Sequence, residues 1–140
     1  MASYHFHLTQ VKRSRGQSVI AQAAYRAGEK LYSTYYGESS DFTRKRGVVM
    51  AEICLPDHAP REYADRETLW NALEWAESGR KAQLAHSFDI TLMNEFSMEE
   101  NIEMVRAFVQ EELVSRGMIA DFAIHDPVRP KGAEPNPHIH

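Results

Sequence analysis

The sequence predicts an α+β domain with a largely antiparallel central sheet and helices packed mainly on one of its faces. Short stretches with apolar residues at every second position recur along the chain, each with one oily and one polar face. Between them lie longer stretches with apolar residues at i, i+3, i+4 and i+7, the stripe of a helix that covers a sheet. At 140 residues the chain is one domain at most.

Ser3 to Val11 alternates, with Tyr4, Phe6 and Leu8 facing one way and His5, His7 and Thr9 the other, so it reads as a half-buried strand. Lys12 to Gly16 is a basic loop. Gln17 to Leu31 reads as a helix whose stripe is Ile20, Ala23, Ala24, Ala27 and Leu31. At about 100° per residue Tyr25 falls off that stripe, and Tyr32 falls directly above Tyr25. Tyr32 to Arg46 reads as a polar loop with Tyr35 and Tyr36 embedded; aromatics interleaved with Arg44, Lys45 and Arg46 can stack bases and hold phosphates. Gly47 to Leu55 is a β-branched, apolar strand, closed by Pro56 and Pro60.

Asp65 or Arg66 to Ser78 reads as a helix with Leu69, Leu73 and Ala76 inward, Trp70 flanking and Gly79 as its stop. Glu74 and Glu77 fall to its solvated side. Ala82 to Met93 is the longest strand signal, with Leu84, His86, Phe88, Ile90 and Leu92 on one face and Ser87, Asp89 and Thr91 on the other. Asp89 in mid-strand is costly to bury without a partner. Ser97-Met98-Glu99-Glu100 is a capping box. It opens a helix to about Arg116, with Ile102, Val105, Val109 and Leu113 inward and Gly117 after it. Ile119 to His125 alternates again, with Ala120, Phe122 and Ile124 opposite Asp121, Ala123 and His125. A turn-rich loop, Asp126 to Pro135, precedes a final strand opened by Pro137.

The composition is globular, with 43% hydrophobic and 26% charged residues. The apolar runs are too short for a transmembrane helix and the N-terminus lacks a secretory h-region, so a cytoplasmic protein without membrane insertion is expected. The single Cys54 excludes a disulfide framework. A net charge of −4 argues against a non-specific nucleic-acid coat protein, yet Lys12, Arg13 and Arg15, and Arg44, Lys45 and Arg46, cluster as phosphate footprints do.

The chemistry gathers on the polar strand faces. His138 and His140 lie one residue apart, hence on one side of a strand, and His125 closes the strand before them. If the polar faces share one side of the sheet, that side is a floor of histidine and aspartate with the tyrosine helix along its edge. Such density is hard to explain by core packing, although any one histidine alone is commonly structural. Three neutral imidazoles suit a divalent cation with open positions. Such an ion polarises a phosphodiester, Tyr25 is the candidate nucleophile, and Asp89 is a base or an orienter of a ligand histidine.

These residues resemble a known family. Gly16-Gln17-Ser18 with Ala23-Ala24-Tyr25-Arg26-Ala27-Gly28-Glu29-Lys30-Leu31 resembles the nucleophile motif of the MobA/MobL (TraA-type) conjugative relaxases. Ala123-Ile124-His125-Asp126 followed by Asn136-Pro137-His138-Ile139-His140 resembles their metal motif, of the HUH endonuclease class. Leu69-Trp70-Asn71 with Glu74, Glu77 and Arg80, and Phe88 to Leu92, resemble the segments between.

The resemblance implies a site- and strand-specific endonuclease. It would nick single-stranded plasmid DNA at an origin of transfer, holding the 5′-phosphate on tyrosine. Accessory relaxosome proteins and a coupling protein are the implied partners. Tyr25 would be the nucleophile, His125, His138 and His140 the ligands of Mg2+ or Mn2+, and Asp89 would stand where relatives often have Glu. Arg15, Arg26, Tyr32, Arg44, Lys45 and Arg46 are the candidate DNA contacts. Because the chain stops at His140 within a strand, residues 1–140 are expected to be a nicking domain cut at its C-terminal end. Two other readings stay open: a DNA-binding remnant with an impaired metal site, and a metal hydrolase that uses water in place of tyrosine.

Overall fold

A computed structural model describes residues 6–77, 79–127, 129–133 and 135–140. The expectations for Tyr4, His5 and Ser78 lie outside the described residues. In chain order the elements are β1 (Phe6–Lys12), α1 (Val19–Ala27), β2 (Lys30–Ser33), β3 (Glu38–Asp41), β4 (Val48–Cys54), α2 (Arg66–Ala76), β5 (Gln83–Thr91), α3 (Met98–Glu112), β6 (Ala120–His125) and β7 (His138–Ile139). Five strands form one sheet in the order β1-β5-β7-β6-β4, every neighbour antiparallel, and β2 and β3 form a separate hairpin. The fold is α+β, as the periodicities predict.

The two sheet faces carry two cores. Phe122, Ile124 and Ile139 meet Val105 and Val109 of α3 on one. On the other, Val19, Ile20, Ala23 and Ala24 of α1 meet Val11 and Leu84. Arg66 and Trp70 of α2 reach Asp121 on the α1 side, so two of the three helices share that face. Small alanines let α1 lie close to the strands. The capping box of α3 forms as read, Ser97 Oγ accepting from the Glu100 amide and the Glu100 carboxylate from the Ser97 amide.

Several local expectations are corrected. The helix predicted to Leu31 ends at Ala27. Gly28 adopts φ +67°, and its amide donates to the Ala24 carbonyl, a left-handed cap that turns the chain into β2. A side chain there would also bring a Cβ to 3.2 Å from Val48 Cγ2. Tyr32 therefore sits on β2, not above Tyr25 on a helix. The predicted Tyr32–Arg46 loop contains β3, whose Glu-Ser-Ser-Asp sequence has no apolar alternation and is held by pairing with β2.

Helix α2 stops at Ala76 with Glu77 as its cap, not at Gly79. Arg13, remote in sequence, donates to the Glu74 carbonyl at 2.6 Å and to the Glu77 carbonyl, closing the helix end. Glu74 is 0% exposed rather than solvated, because Ser18 and Ser33 each donate a hydroxyl to its carboxylate at 3.2 Å. Ala76 is exposed rather than inward. Leu84 leaves the face of Phe88 and Ile90: the register shifts between Val11 and Lys12, so β5 carries an extra residue there and Leu84 joins the α1 core. Phe6 and Leu8 are about half exposed, at 49% and 50%, because among the described residues β1 is an edge strand paired on one side, with β5. Beside the two-residue β7, strands β5 and β6 part around an apolar cavity of about 360 Å3.

Candidate active site

Antiparallel register places opposed residues on one face. His7 opposes Asp89, and His138 opposes Thr91 on one side and His125 on the other. His140 exchanges main-chain hydrogen bonds with Ala123, at 2.9 Å each way. The described polar sets therefore share the face under α1: His7, Asp89, Asp121 with His125, and His138 with His140. The histidine-aspartate floor is present. Whether His5 extends it lies outside the described residues.

One ring nitrogen from each of His125, His138 and His140 lies within 4.8 Å of the others. One nitrogen of each ring is engaged by an acceptor. His125 Nε2 donates to the Arg26 carbonyl at 2.6 Å, His138 Nδ1 to the Asn136 carbonyl at 2.8 Å, and His140 Nδ1 to the Asp89 carboxylate. A carbonyl or carboxylate only accepts, so each tied nitrogen carries the proton. The lone pair is left on Nδ1 of His125 and on Nε2 of His138 and His140. Burial pushes His125 down to about 4, helped by its histidine neighbours and Lys45 and opposed by the Arg26 carbonyl. Burial also lowers His140, against the pull of Asp89. Both shifts favour the neutral imidazole at His125 and His140, and rings with one nitrogen fixed by an acceptor suit metal ligation.

Tyr25 lies on α1 next to the residue whose carbonyl holds His125. Its side chain is 50% exposed and packs edge-on against Phe42, with ring centroids 5.3 Å apart. Lys45 Nζ stands 3.4 Å from the centre of the Tyr25 ring and donates to the Tyr25 carbonyl at 2.9 Å. Burial and then Arg26 lower the Lys45 pKa. Tyr25, Arg26, Gln22 and Ser18 line a cleft of about 390 Å3 together with Asp89 and His140. Residues about a hundred positions apart thus share one cleft.

The candidate DNA contacts separate. Arg26 Nη2 donates to Ser87 Oγ at 2.6 Å, and its charge lies near Asp89 and Asp121, so it spans the floor. Lys45 and Arg26 flank Tyr25. Arg15, Tyr32, Arg44 and Arg46 are exposed but do not line the cleft. The Tyr32 amide donates to Glu67 at 2.6 Å.

One feature of the site was not legible in the sequence. Arg66, 8% exposed, bonds Asp121 through Nε and Nη2, each at 2.8 Å, and Glu29 through Nη1 at 2.7 Å. Trp70 Nε1 donates to the same Asp121 at 2.8 Å. Burial works against the Arg66 charge, but Asp121 and Glu29 outweigh it and hold its pKa above the usual value. This network ties α2, the segment after α1, and the strand of His125. The aspartate on the polar face of β6 was the available signal; nothing local marked its partner.

A family model described as the MobA/MobL family matches residues 17–140. The chain belongs to the MobA/MobL family. It is 34% identical to a protein named probable mobilization protein MobA from Bifidobacterium longum (strain NCC 2705), covering 100% of this chain and 24% of that protein. It is 38% identical to a conjugal transfer protein TraA of Rhizobium radiobacter, covering 100% of this chain and 13% of the relative. A solved structure described as "Molecular Basis of Vancomycin Resistance Transfer in Staphylococcus aureus" superposes with a TM-score of 0.87 at 34% identity, over 99% of this chain and 68% of that one. The chain thus spans a quarter or less of these two MobA/MobL relatives. Among the described residues no helix is long and apolar enough to cross a membrane.

Proposed function

We propose that residues 1–140 form the nicking domain of a conjugative relaxase, cutting one strand of plasmid DNA at an origin of transfer and joining the 5′ end to Tyr25. The observation that carries this is the shared cleft: Tyr25 on one wall, and on the other His140, its free nitrogen aligned by Asp89. The three imidazoles fit a divalent cation, because each presents one unprotonated nitrogen and none is a fixed charge. An all-nitrogen set suits Mn2+ better than Mg2+, which prefers oxygen and water. When bound, the ion supplies charge stabilisation for the phosphodiester.

The chain's own groups do the rest. Asp89 and the Asn136 and Arg26 carbonyls fix the imidazole tautomers. Lys45 and Phe42 hold the Tyr25 ring. The phenol oxygen bonds to phosphorus as the P–O3′ bond breaks. The phenolic proton passes to solvent and the departing 3′ oxygen is protonated. A phenolate leaves readily, so the same step run backwards rejoins the strand. Accessory relaxosome proteins and a coupling protein belong to this reading as partners.

The test is incubation with a labelled single-stranded origin oligonucleotide, with and without Mn2+. A covalent protein–DNA band that needs the metal and vanishes in Tyr25→Phe is expected. A free 5′-phosphate product with no protein attached, or an adduct that persists in Tyr25→Phe, refutes the assignment.

A further inference from the structure

We propose that the aromatic cluster at the tip of the β2–β3 hairpin is a second landing surface for single-stranded nucleic acid, stacking unpaired bases on Trp75 and Tyr36. It rests on the reading of the neighbouring cleft as a DNA-nicking site and adds a surface outside it.

Tyr35 meets Tyr36 edge-on at 5.0 Å and Trp75 at 5.1 Å between ring centroids. Aromatic clusters of this kind are ordinarily buried. Here Trp75 is 56% exposed and Tyr36 39%. The platform is nevertheless fixed. Trp75 Nε1 donates to Thr34 Oγ1 at 2.7 Å, the Tyr36 amide to Ser33 Oγ at 3.1 Å, and the Thr34 amide to Asn71 Oδ1 at 2.9 Å. Core packing explains Tyr35, which lies under Arg13; it does not explain held rings facing solvent. A surface already ordered before binding loses little entropy when a base stacks on it.

Basic side chains that a phosphate backbone could contact stand beside the rings. The Arg13 guanidinium stands 4.3 Å from the centre of the Tyr35 ring. Exposed Arg15 follows in the same turn. The Arg13 amide donates to the Ala82 carbonyl at 3.3 Å, and exposed Arg80 and Lys81 directly precede Ala82 in the chain. Among the described residues the acidic groups on the same elements are exposed Glu38 and Glu77, Glu67, which accepts from the Tyr32 amide, and Glu74, whose buried carboxylate is held by Ser18 and Ser33. A protein-binding hot spot of Trp and Arg would sit in an apolar surround. The hairpin tip offers Thr34, Gly37 and Glu38 instead. Exposed aromatic faces beside basic side chains make a single-strand stacking platform.

The platform and the cleft share a buried neighbour, Glu74. The cleft reaches Ser18, whose hydroxyl donates to Glu74, and Arg13 donates to the main-chain carbonyl of that same Glu74. Tyr25 and Ser18 are seven helical steps apart, about 10 Å at the α-helical rise. That is about three stacked nucleotide steps. A strand lying over Tyr25 and along α1 thus covers about three nucleotides by the time it reaches Ser18.

The test is anisotropy titration of fluorescein-labelled (dT)12 at low salt, with tryptophan emission recorded in parallel. Trp75→Ala is expected to weaken (dT)12 binding by about 5- to 100-fold, the range of one lost base stack. Tyr36→Ala weakens it as well, and Trp75→Phe keeps it within about threefold of the parent, since any aromatic face stacks. The (dT)12·(dA)12 duplex binds more weakly than (dT)12. Equal (dT)12 affinity in the parent and Trp75→Ala, or duplex binding as tight as single-strand binding, overturns the proposal. An absent Tyr25 adduct with Trp75-dependent affinity sinks the nicking reading and supports the platform. An adduct with Trp75-independent affinity does the reverse.

Discussion

Arg66→Met removes the cation from the network under the site. In the protein, Arg66 is 8% and Asp121 9% exposed, and two guanidinium nitrogens bond that carboxylate. After the substitution Asp121 keeps only the Trp70 indole as a partner in the network. Removing one member of a buried pair costs about 3–5 kcal/mol, and the Arg26 charge near Asp121 places the loss at the lower end. The arm to Glu29 contributes little of this, because Glu29 is 43% exposed and water screens it. At about 2–4 °C per kcal/mol for a chain near this size, the melting temperature falls by roughly 10 °C. Urea unfolding followed by far-UV circular dichroism reads the loss directly as a midpoint shift. The double variant Arg66→Met/Asp121→Leu replaces the pair with apolar volume and is expected to return to within about 1–2 kcal/mol of the parent. A loss below about 1 kcal/mol in the single variant, or no recovery in the double, refutes the reasoning.

Asp89→Ala takes away the acceptor that fixes the His140 tautomer; titration calorimetry with MnCl2 should show affinity about 10- to 100-fold weaker, and unchanged affinity would remove Asp89 from that role. His125, at about 4 in the fold against about 6.5 unfolded, makes metal-free protein pH-sensitive. Between those values the unfolded chain binds the proton and the folded chain does not, so this stability is complete above about pH 6.5 and is lost on acidification toward pH 4. The shift corresponds to about 3 kcal/mol. Urea midpoints in EDTA across that window should slope less in His125→Asn, and parallel curves would contradict the assignment. Gly28→Ala forces a Cβ into a left-handed cap and against Val48, for a loss of about 1–2 kcal/mol by chemical denaturation; a neutral result would mean the cap relaxes freely.

Much of the site was legible because strand chemistry is periodic. Two-residue spacing places His138 and His140 on one side, and the same rule places Asp89 and His125 on the polar faces of their strands. The capping box at Ser97 was legible because both partners lie within one turn. Glu74 was not, since the hydroxyls that satisfy it arrive from Ser18 and Ser33. The end of α2 was not, since its cap is Arg13. Leu31 was placed on a helix because its apolar spacing outlasted the glycine that ends it. The faint β2–β3 signal and the extra residue at Leu84 are decided by pairing with another strand.

The sequence by itself determined which side chains are the candidates for the chemistry and which face of each strand they occupy. It could do so because helix and strand periods are local properties of the backbone. Only the tertiary structure decided that the polar faces form one floor, that α1 brings Tyr25 to His140, and which nitrogen of each imidazole is left free. Those facts depend on strand order and on single acceptors far away in the chain, such as the Arg26 carbonyl against His125 and Asp89 against His140. Long-range contacts of that kind leave no periodic trace in the residues that make them.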